Sequence, residues 1–169
     1  MKPRFLLFLI LALSILFHSF YWVGYGMGDD EIYTRMIKDI IKGTYRIYPI
    51  TPEYGNYMVF QFRPVLLLAT ALSCKIIGLN DVGFVFAIFL SHLISIGIAY
   101  LIAKKIFNET AGIITALLVA VFPLRLVYST TLSNDLMLST FQAAIILLLI
   151  KLNSGEFRKT VFIPLFLWR

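Results

Sequence analysis

Three consecutive acids, Asp29, Asp30 and Glu31, follow Gly28 just beyond the first hydrophobic stretch of the chain. Carboxylates are rare beside a bilayer and are usually functional there, because removing them from water is costly. A carboxylate within hydrogen-bond reach of a hydroxyl can act as a general base. The alternative is structural, since acids at a helix N-terminus cap free amides and complement the helix dipole, by about 0.3–1 kcal/mol each. One acid would meet that need, so the triplet predicts a functional site.

Two further polar motifs could act with these acids. Arg63 stands directly before Pro64, where it could hold a phosphate by charge-assisted hydrogen bonds or extend toward lipid headgroups. Ser133, Asn134 and Asp135 precede a long apolar run. Any of the three could be the N-cap of the following helix, but Asp135 would also add a carboxylate near the others.

The composition places this chemistry in a membrane. Sixty per cent of the residues are hydrophobic and 14% are charged, which excludes an ordinary soluble domain. The net charge of +6 comes from short basic clusters between apolar runs, which indicates membrane topology and not nucleic-acid binding. Cys74 is the single cysteine, so an intrachain disulfide and a cysteine-based metal site are excluded. His18 and His92 are isolated in apolar stretches, which favours packing or a local hydrogen bond.

The apolar runs predict an all-α, polytopic integral membrane helix bundle that forms one domain over residues 1–169. The first run lacks the small-residue cleavage site of a signal peptide, so we interpret it as an uncleaved span. The chain ends soon after the last run begins, and we expect a fragment of a larger enzyme that is inactive by itself. The predicted spans are residues 5–23, 82–103, 111–128 and 136–150, with another beginning at 161.

The basic clusters predict how these spans are oriented. Lys2 and Arg4 place the N-terminus in the cytoplasm, and Lys104, Lys105 and the 151–159 cluster should be cytoplasmic as well. These basic clusters all lie on the cytoplasmic side only if residues 65–78 form a helix that does not cross the membrane. Residues 65–78 are indeed few for a membrane-spanning helix. Residues 24–80 then form one external loop with juxtamembrane helices, and residues 129–135, which include Asp135, form a second, short external loop.

Within the first external loop, residues 30–42 predict an amphipathic helix that lies on the membrane surface. Gly43 follows as a plausible C-cap. The apolar face consists of Ile32, Met36, Ile37, Ile40 and Ile41, and the polar face of Glu31, Arg35, Lys38, Asp39 and Lys42.

This order of motifs resembles the N-terminal part of membrane glycosyltransferases of the GT-C superfamily, in particular protein O-mannosyltransferases and the lipid A aminoarabinose transferase. Their first external loop opens with an acidic pair and an amphipathic helix, which Asp30-Glu31-Ile32-Tyr33 onward to Gly43 resembles. Arg63-Pro64 through Ile77-Gly78 is similar to the basic residue, proline and non-spanning helix that follow, and Asp135 to an acid of the second loop. Two features depart from the pattern: Asp29 adds an acid, and residues 81–89 lack an arginine often found there.

The resemblance implies transfer of a sugar from a polyprenyl phosphate to an acceptor hydroxyl of a protein, lipid or glycan, with inversion, on the extracytoplasmic side of the cell membrane. Among the acids Asp29, Asp30 and Glu31, it makes Asp30 the candidate base. Arg63 would stabilise the charge of the departing phosphate. Asp135 could orient the acceptor or help to hold a divalent cation, Mg²⁺ or Mn²⁺, although no cofactor is certain.

Two other classes of protein remain as alternatives. A transporter or channel subunit would use the acids to bind cations, but it predicts charged residues along a midplane pathway. A non-catalytic membrane assembly protein would need neither the acids nor a polar, tyrosine-containing loop.

Overall fold

The protein is described by a computed structural model that covers residues 3–20, 24, 29–46 and 63–154. All elements within these ranges are helices, so the predicted all-α class is confirmed. They are α1 (Pro3–Phe20), α2 (Asp29–Lys42), α3 (Pro64–Ile77), α4 (Asp81–Ile106), α5 (Glu109–Val121), α6 (Pro123–Tyr128) and α7 (Asn134–Asn153).

Among the described residues, α1, α4 and α7 are long and apolar enough to cross a membrane. Large apolar side chains such as Phe8, Leu90 and Leu149 are exposed on these helices, as expected where lipid replaces water. The prediction of an integral membrane helix bundle is therefore confirmed. The predicted start of a span at residue 161 lies outside the described residues.

The predicted span 111–128 is divided into two helices, because α5 ends at Val121 and α6 begins at Pro123. Phe122, between them, has an extended backbone with φ −64° and ψ 117°. Steric conflict with the proline ring disfavours the helical region for the preceding residue, and proline is well suited to the first turn of the next helix. The apolar run in the sequence, taken alone, predicts one continuous span over residues 111–128.

Helix α4 is the centre of the bundle and packs against α5, α7, α3 and, less extensively, α1. Buried Ala116 and Ala120 of α5 let that helix approach Ile96 and Tyr100 of α4. Small residues permit such close approach between helices in membranes.

Helix α2 packs its apolar face on α3, and the predicted amphipathic helix is confirmed. Tyr33, Met36 and Ile37 are buried in one cluster with residues of α3, α4 and α7. The helix ends at Gly43, whose φ of +72° is favourable for glycine. Its amide donates to the Ile40 carbonyl at 3.1 Å, so the predicted C-cap is confirmed as well.

Helix α3 has 14 residues and is therefore only about 21 Å long, which is less than the hydrocarbon core of a bilayer. Its non-spanning location stays a prediction. A tight turn joins it to α4, where Asn80 accepts a hydrogen bond from the Gly83 amide at 2.8 Å and Ser73 donates to the Gly83 carbonyl at 2.7 Å.

We expect Gly83→Ala to destabilise the protein by about 1–3 kcal/mol, as overpacked sites do. A Cβ at Gly83 would stand 2.0 Å from the Gly78 carbonyl oxygen, which is backbone and cannot rotate away. Gly97→Ala in the same helix is the matched control, because a Cβ there meets nothing within 4 Å. Thermal unfolding of the detergent-solubilised protein measures both, and equal melting temperatures would contradict the close approach of the two backbones.

Candidate active site

A polar cavity of about 250 Å³ brings together three segments that are distant in sequence. The first turn of α2 contributes two residues, Arg63 comes from the start of α3, and the segment from α6 to α7 forms the remaining wall. We call this cavity the carboxylate pocket. It is lined by Asp30, Tyr33, Arg63, Tyr128, Thr131, Leu132, Ser133, Asn134 and Asp135.

The structure separates the side chains of Asp30 and Glu31. Asp30 lines the pocket and is only 9% exposed, and its carbonyl oxygen accepts a hydrogen bond from the Thr34 hydroxyl at 2.7 Å. The Glu31 side chain is 68% exposed and forms an ion pair with Arg35 at 3.5 Å, outside the pocket. Asp29 is the first residue of α2. Helical spacing accounts for the difference between Asp30 and Glu31, because adjacent helical residues point about 100° apart.

Arg63 faces the pocket with its guanidinium held by Tyr33. Nη1 donates a hydrogen bond to the Tyr33 hydroxyl, and the guanidinium carbon lies 5.6 Å from the centre of the same ring. Tyr33 is 1% exposed, so the group that orients the guanidinium is itself fixed by packing. The planar guanidinium is thereby preorganised to bind an anion.

Asp135 belongs to the first turn of α7, on the opposite wall. Ser133 occupies the N-cap position of that helix without a side-chain capping hydrogen bond. The motif therefore supplies the N-cap residue, as one interpretation predicted, but its side chain makes no capping hydrogen bond. All three residues instead line the carboxylate pocket.

The pocket thus combines one guanidinium with two carboxylates, those of Asp30 and Asp135. Within residues 3–20, 24, 29–46 and 63–154, no group of three or more His, Cys, Asp or Glu side chains could hold a metal ion. Mg²⁺ is often held by one or two carboxylates together with substrate phosphates. Asp30 and Asp135 are the residues that would hold such an ion here.

An apolar groove of about 410 Å³ runs between α3, α4 and α7. A smaller cavity of about 200 Å³ lies between it and the carboxylate pocket. Arg63 and Asn134 line both the pocket and this smaller cavity, whereas Val65, Met137 and Phe141 line both the smaller cavity and the groove. The three cavities are therefore neighbours, and they extend from charged groups to an apolar surface suited to a long hydrocarbon.

Sequence reasoning missed Tyr33 and Tyr128, which complete the wall of the pocket. The spacing of Asp30 and Tyr33 was a usable signal, because residues three apart lie on one helix face. Nothing in the sequence pointed to Tyr128. Arg125 faces the helix bundle and not the lipid headgroups, because its guanidinium donates a hydrogen bond to the Ser95 hydroxyl at 3.0 Å.

Comparison with known proteins identifies the family. The family model described as dolichyl-phosphate-mannose-protein mannosyltransferase matches residues 63–167, which is more than half of the chain. The chain belongs to this family, and it is a GT-C-like membrane glycosyltransferase of the class that uses a polyprenyl-phosphate-linked sugar. No curated protein and no solved structure matches it.

Proposed function

We propose that this member of the dolichyl-phosphate-mannose-protein mannosyltransferase family transfers a sugar from a polyprenyl phosphate to an acceptor hydroxyl on the extracytoplasmic side, with inversion. The observation that supports this most strongly is the shared cavity. Asp30, Arg63 and Asp135 all line the carboxylate pocket, and an apolar groove continues from it.

The donor fits this geometry in two parts. Its phosphate would bind the Arg63 guanidinium, since arginine pairs with phosphate through parallel hydrogen bonds. Its polyprenyl chain would follow the groove between α3, α4 and α7, whose lining is almost wholly apolar. The sugar, which is attached to the phosphate on the side opposite the polyprenyl chain, would then lie against Asp30 and Asp135.

The reaction needs one base and one group that stabilises the leaving group. The Asp30 carboxylate takes the proton of the acceptor hydroxyl, and the acceptor oxygen bonds to the anomeric carbon. The bond from that carbon to the phosphate oxygen breaks, and its electron pair leaves with the polyprenyl phosphate, whose charge Arg63 stabilises. A single displacement from the opposite face inverts the anomeric centre. Asp135 would orient the acceptor.

The direction of the helices supports an extracytoplasmic orientation of the pocket. Thr140 of α7 donates to the Ser91 carbonyl of α4 at 3.3 Å, and the two helices begin on the same side. At the other end of α4, Lys104 pairs with Glu109, and both line a cavity with Arg4. The basic residues there favour the cytoplasm, so the carboxylate pocket would face away from it.

Labelling with a membrane-impermeant maleimide tests this orientation. Lys75→Cys should react in intact cells and Lys105→Cys only after permeabilisation, because both positions are exposed on opposite sides of the proposed membrane. The native Cys74 should contribute little, since burial raises the pKa of its thiol to about 11 and a thiol reacts as its thiolate. Labelling of position 105 from outside would contradict the proposed topology.

A further inference from the structure

The segment from α6 to the start of α7 supplies one wall of the carboxylate pocket, and its buried apolar side chain, Leu132, lies toward the α7 end of the segment. No residue of α6 is buried. Ser129 and Thr130, which follow directly, are both 0% exposed. Polar side chains are buried at a cost unless they are hydrogen-bonded, so the partners of this turn decide where the wall stands.

One of these partners is His18, near the end of α1. Its Nε2 forms a hydrogen bond with the Ser129 hydroxyl, and its Nδ1 lies 2.5 Å from the Ser14 carbonyl oxygen. A carbonyl oxygen can only accept, so Nδ1 carries a proton. Nε2 is then the ring atom that forms the hydrogen bond with the Ser129 hydroxyl.

The ring of His18 is itself held between two spanning helices. Its centre lies 4.8 Å from that of Phe89, edge to face, and 4.9 Å from that of His92, both in α4. Nε2 of His92 is 3.2 Å from the Ser14 hydroxyl in α1. The bond to Ser129 thus ties the pocket wall to a ring that both α1 and α4 fix.

Two other bonds near Ser129 differ from this one. The Ser129 hydroxyl lies 2.8 Å from the Leu126 carbonyl oxygen, but that contact is within the end of α6 and does not attach it to the bundle. Arg125 attaches α6 to Ser95 of α4, one helical turn before Ser129. His18 accordingly attaches the chain to the bundle at the point where it leaves α6 for the pocket.

We infer that His18 is a positioning residue: by holding Ser129, it keeps Tyr128 and the 131–135 segment, with Asp135, in the carboxylate pocket. The inference rests on the proposed function for its effect on catalysis. It does not require His18 to touch the donor or the acceptor.

Two substitutions of His18 distinguish the roles of the hydrogen bonds that its two ring nitrogens make. Asparagine reaches about as far as Nδ1 and can keep the bond to Ser14, whereas glutamine reaches about as far as Nε2 and can keep the bond to Ser129. In the full-length enzyme, His18→Asn should lower kcat about tenfold, because small displacements of reacting groups are costly. The KM for the polyprenyl-phosphate-sugar donor should stay within about twofold, since its phosphate partner Arg63 lies on another wall. His18→Gln should restore most of kcat.

The reactivity of a cysteine placed at position 130 measures how well the loop is held in place, and it requires no assay of sugar transfer. Thr130→Cys should react slowly with a maleimide in the purified protein, because the position is buried. Adding His18→Asn should accelerate that labelling severalfold, and adding His18→Gln should not. Ser19→Ala is the matched control, since Ser19 is exposed on the same helix and bonds only within it; it should change neither kcat nor labelling.

The inference fails if the asparagine and glutamine variants behave alike, or if labelling of position 130 does not respond to His18→Asn. A fall in kcat accompanied by an equal rise in donor KM would also contradict it. If the unmodified full-length enzyme transfers no sugar, the proposed function fails, and the labelling comparison still decides whether His18 holds the loop.

Discussion

Asp30→Asn in the full-length enzyme is expected to lower sugar transfer by about 10²–10⁴-fold, the usual contribution of a general base. Asparagine has nearly the same shape but cannot accept the proton of the acceptor hydroxyl. Asp30 is 9% exposed and lines the pocket, and the other carboxylate in the lining, Asp135, belongs to a different helix, α7. Transfer of labelled sugar from a polyprenyl-phosphate-mannose donor measures the effect. Chromatography of the detergent-solubilised proteins is used to match the amounts of folded variant and unmodified enzyme.

The matched controls lie on the same helix. Asp39→Asn removes an acid that lies more than two helical turns after Asp30 in α2 and does not line the pocket. It should keep sugar transfer within about twofold of the unmodified enzyme, because most substitutions away from a site have small effects. Glu31→Gln distinguishes the members of the acidic pair, because Glu31 faces Arg35 and not the pocket. Full activity of Asp30→Asn, or equal losses in Asp30→Asn and Glu31→Gln, would contradict Asp30 as the base.

Arg63→Ala should lower transfer by about 10²-fold or more, the range seen when one stabilising donor is removed from a transition state. The leaving group gains negative charge as its bond to the sugar breaks, and Arg63 is the cation that lines the carboxylate pocket among the described residues. Arg63→Lys should recover only part of the loss, because an ammonium keeps the charge but not the planar pair of donors.

Steady-state kinetics with varied donor concentration separates the two roles of this residue. A loss mainly in kcat would indicate stabilisation of the transition state, whereas a rise mainly in donor KM would indicate ground-state binding of the phosphate. Arg35→Ala is the control, since that guanidinium is exposed and pairs with Glu31. Equal effects of Arg63→Ala and Arg35→Ala would show that Arg63 acts only through general surface charge, and would exclude it from the phosphate site.

Tyr33 links these two predictions. It orients the Arg63 guanidinium through its hydroxyl and ring, and it lies on the same face of α2 as Asp30. One short helix therefore carries the proposed base and orients the Arg63 guanidinium. The same helix packs on α3 with Met36 and Ile37 buried in the core cluster.

The sequence by itself determined the class of protein and most local structure. Long apolar runs fixed the membrane helices, since charged and polar groups are excluded from lipid. The spacing of Ile32, Met36, Ile37, Ile40 and Ile41 determined the buried face of α2, and Gly43 marked its end. These features depend on neighbours a few residues away, which a sequence records directly.

Only the tertiary structure decided what meets at the site. Asp30, Arg63 and Asp135 are far apart in the chain, and their shared cavity depends on how α2 packs on α3 and how α4 and α7 lie side by side. The bond from His18 to Ser129 arises in the same way. Each results from long-range packing of helices against one another, and no local pattern of residues encodes such contacts.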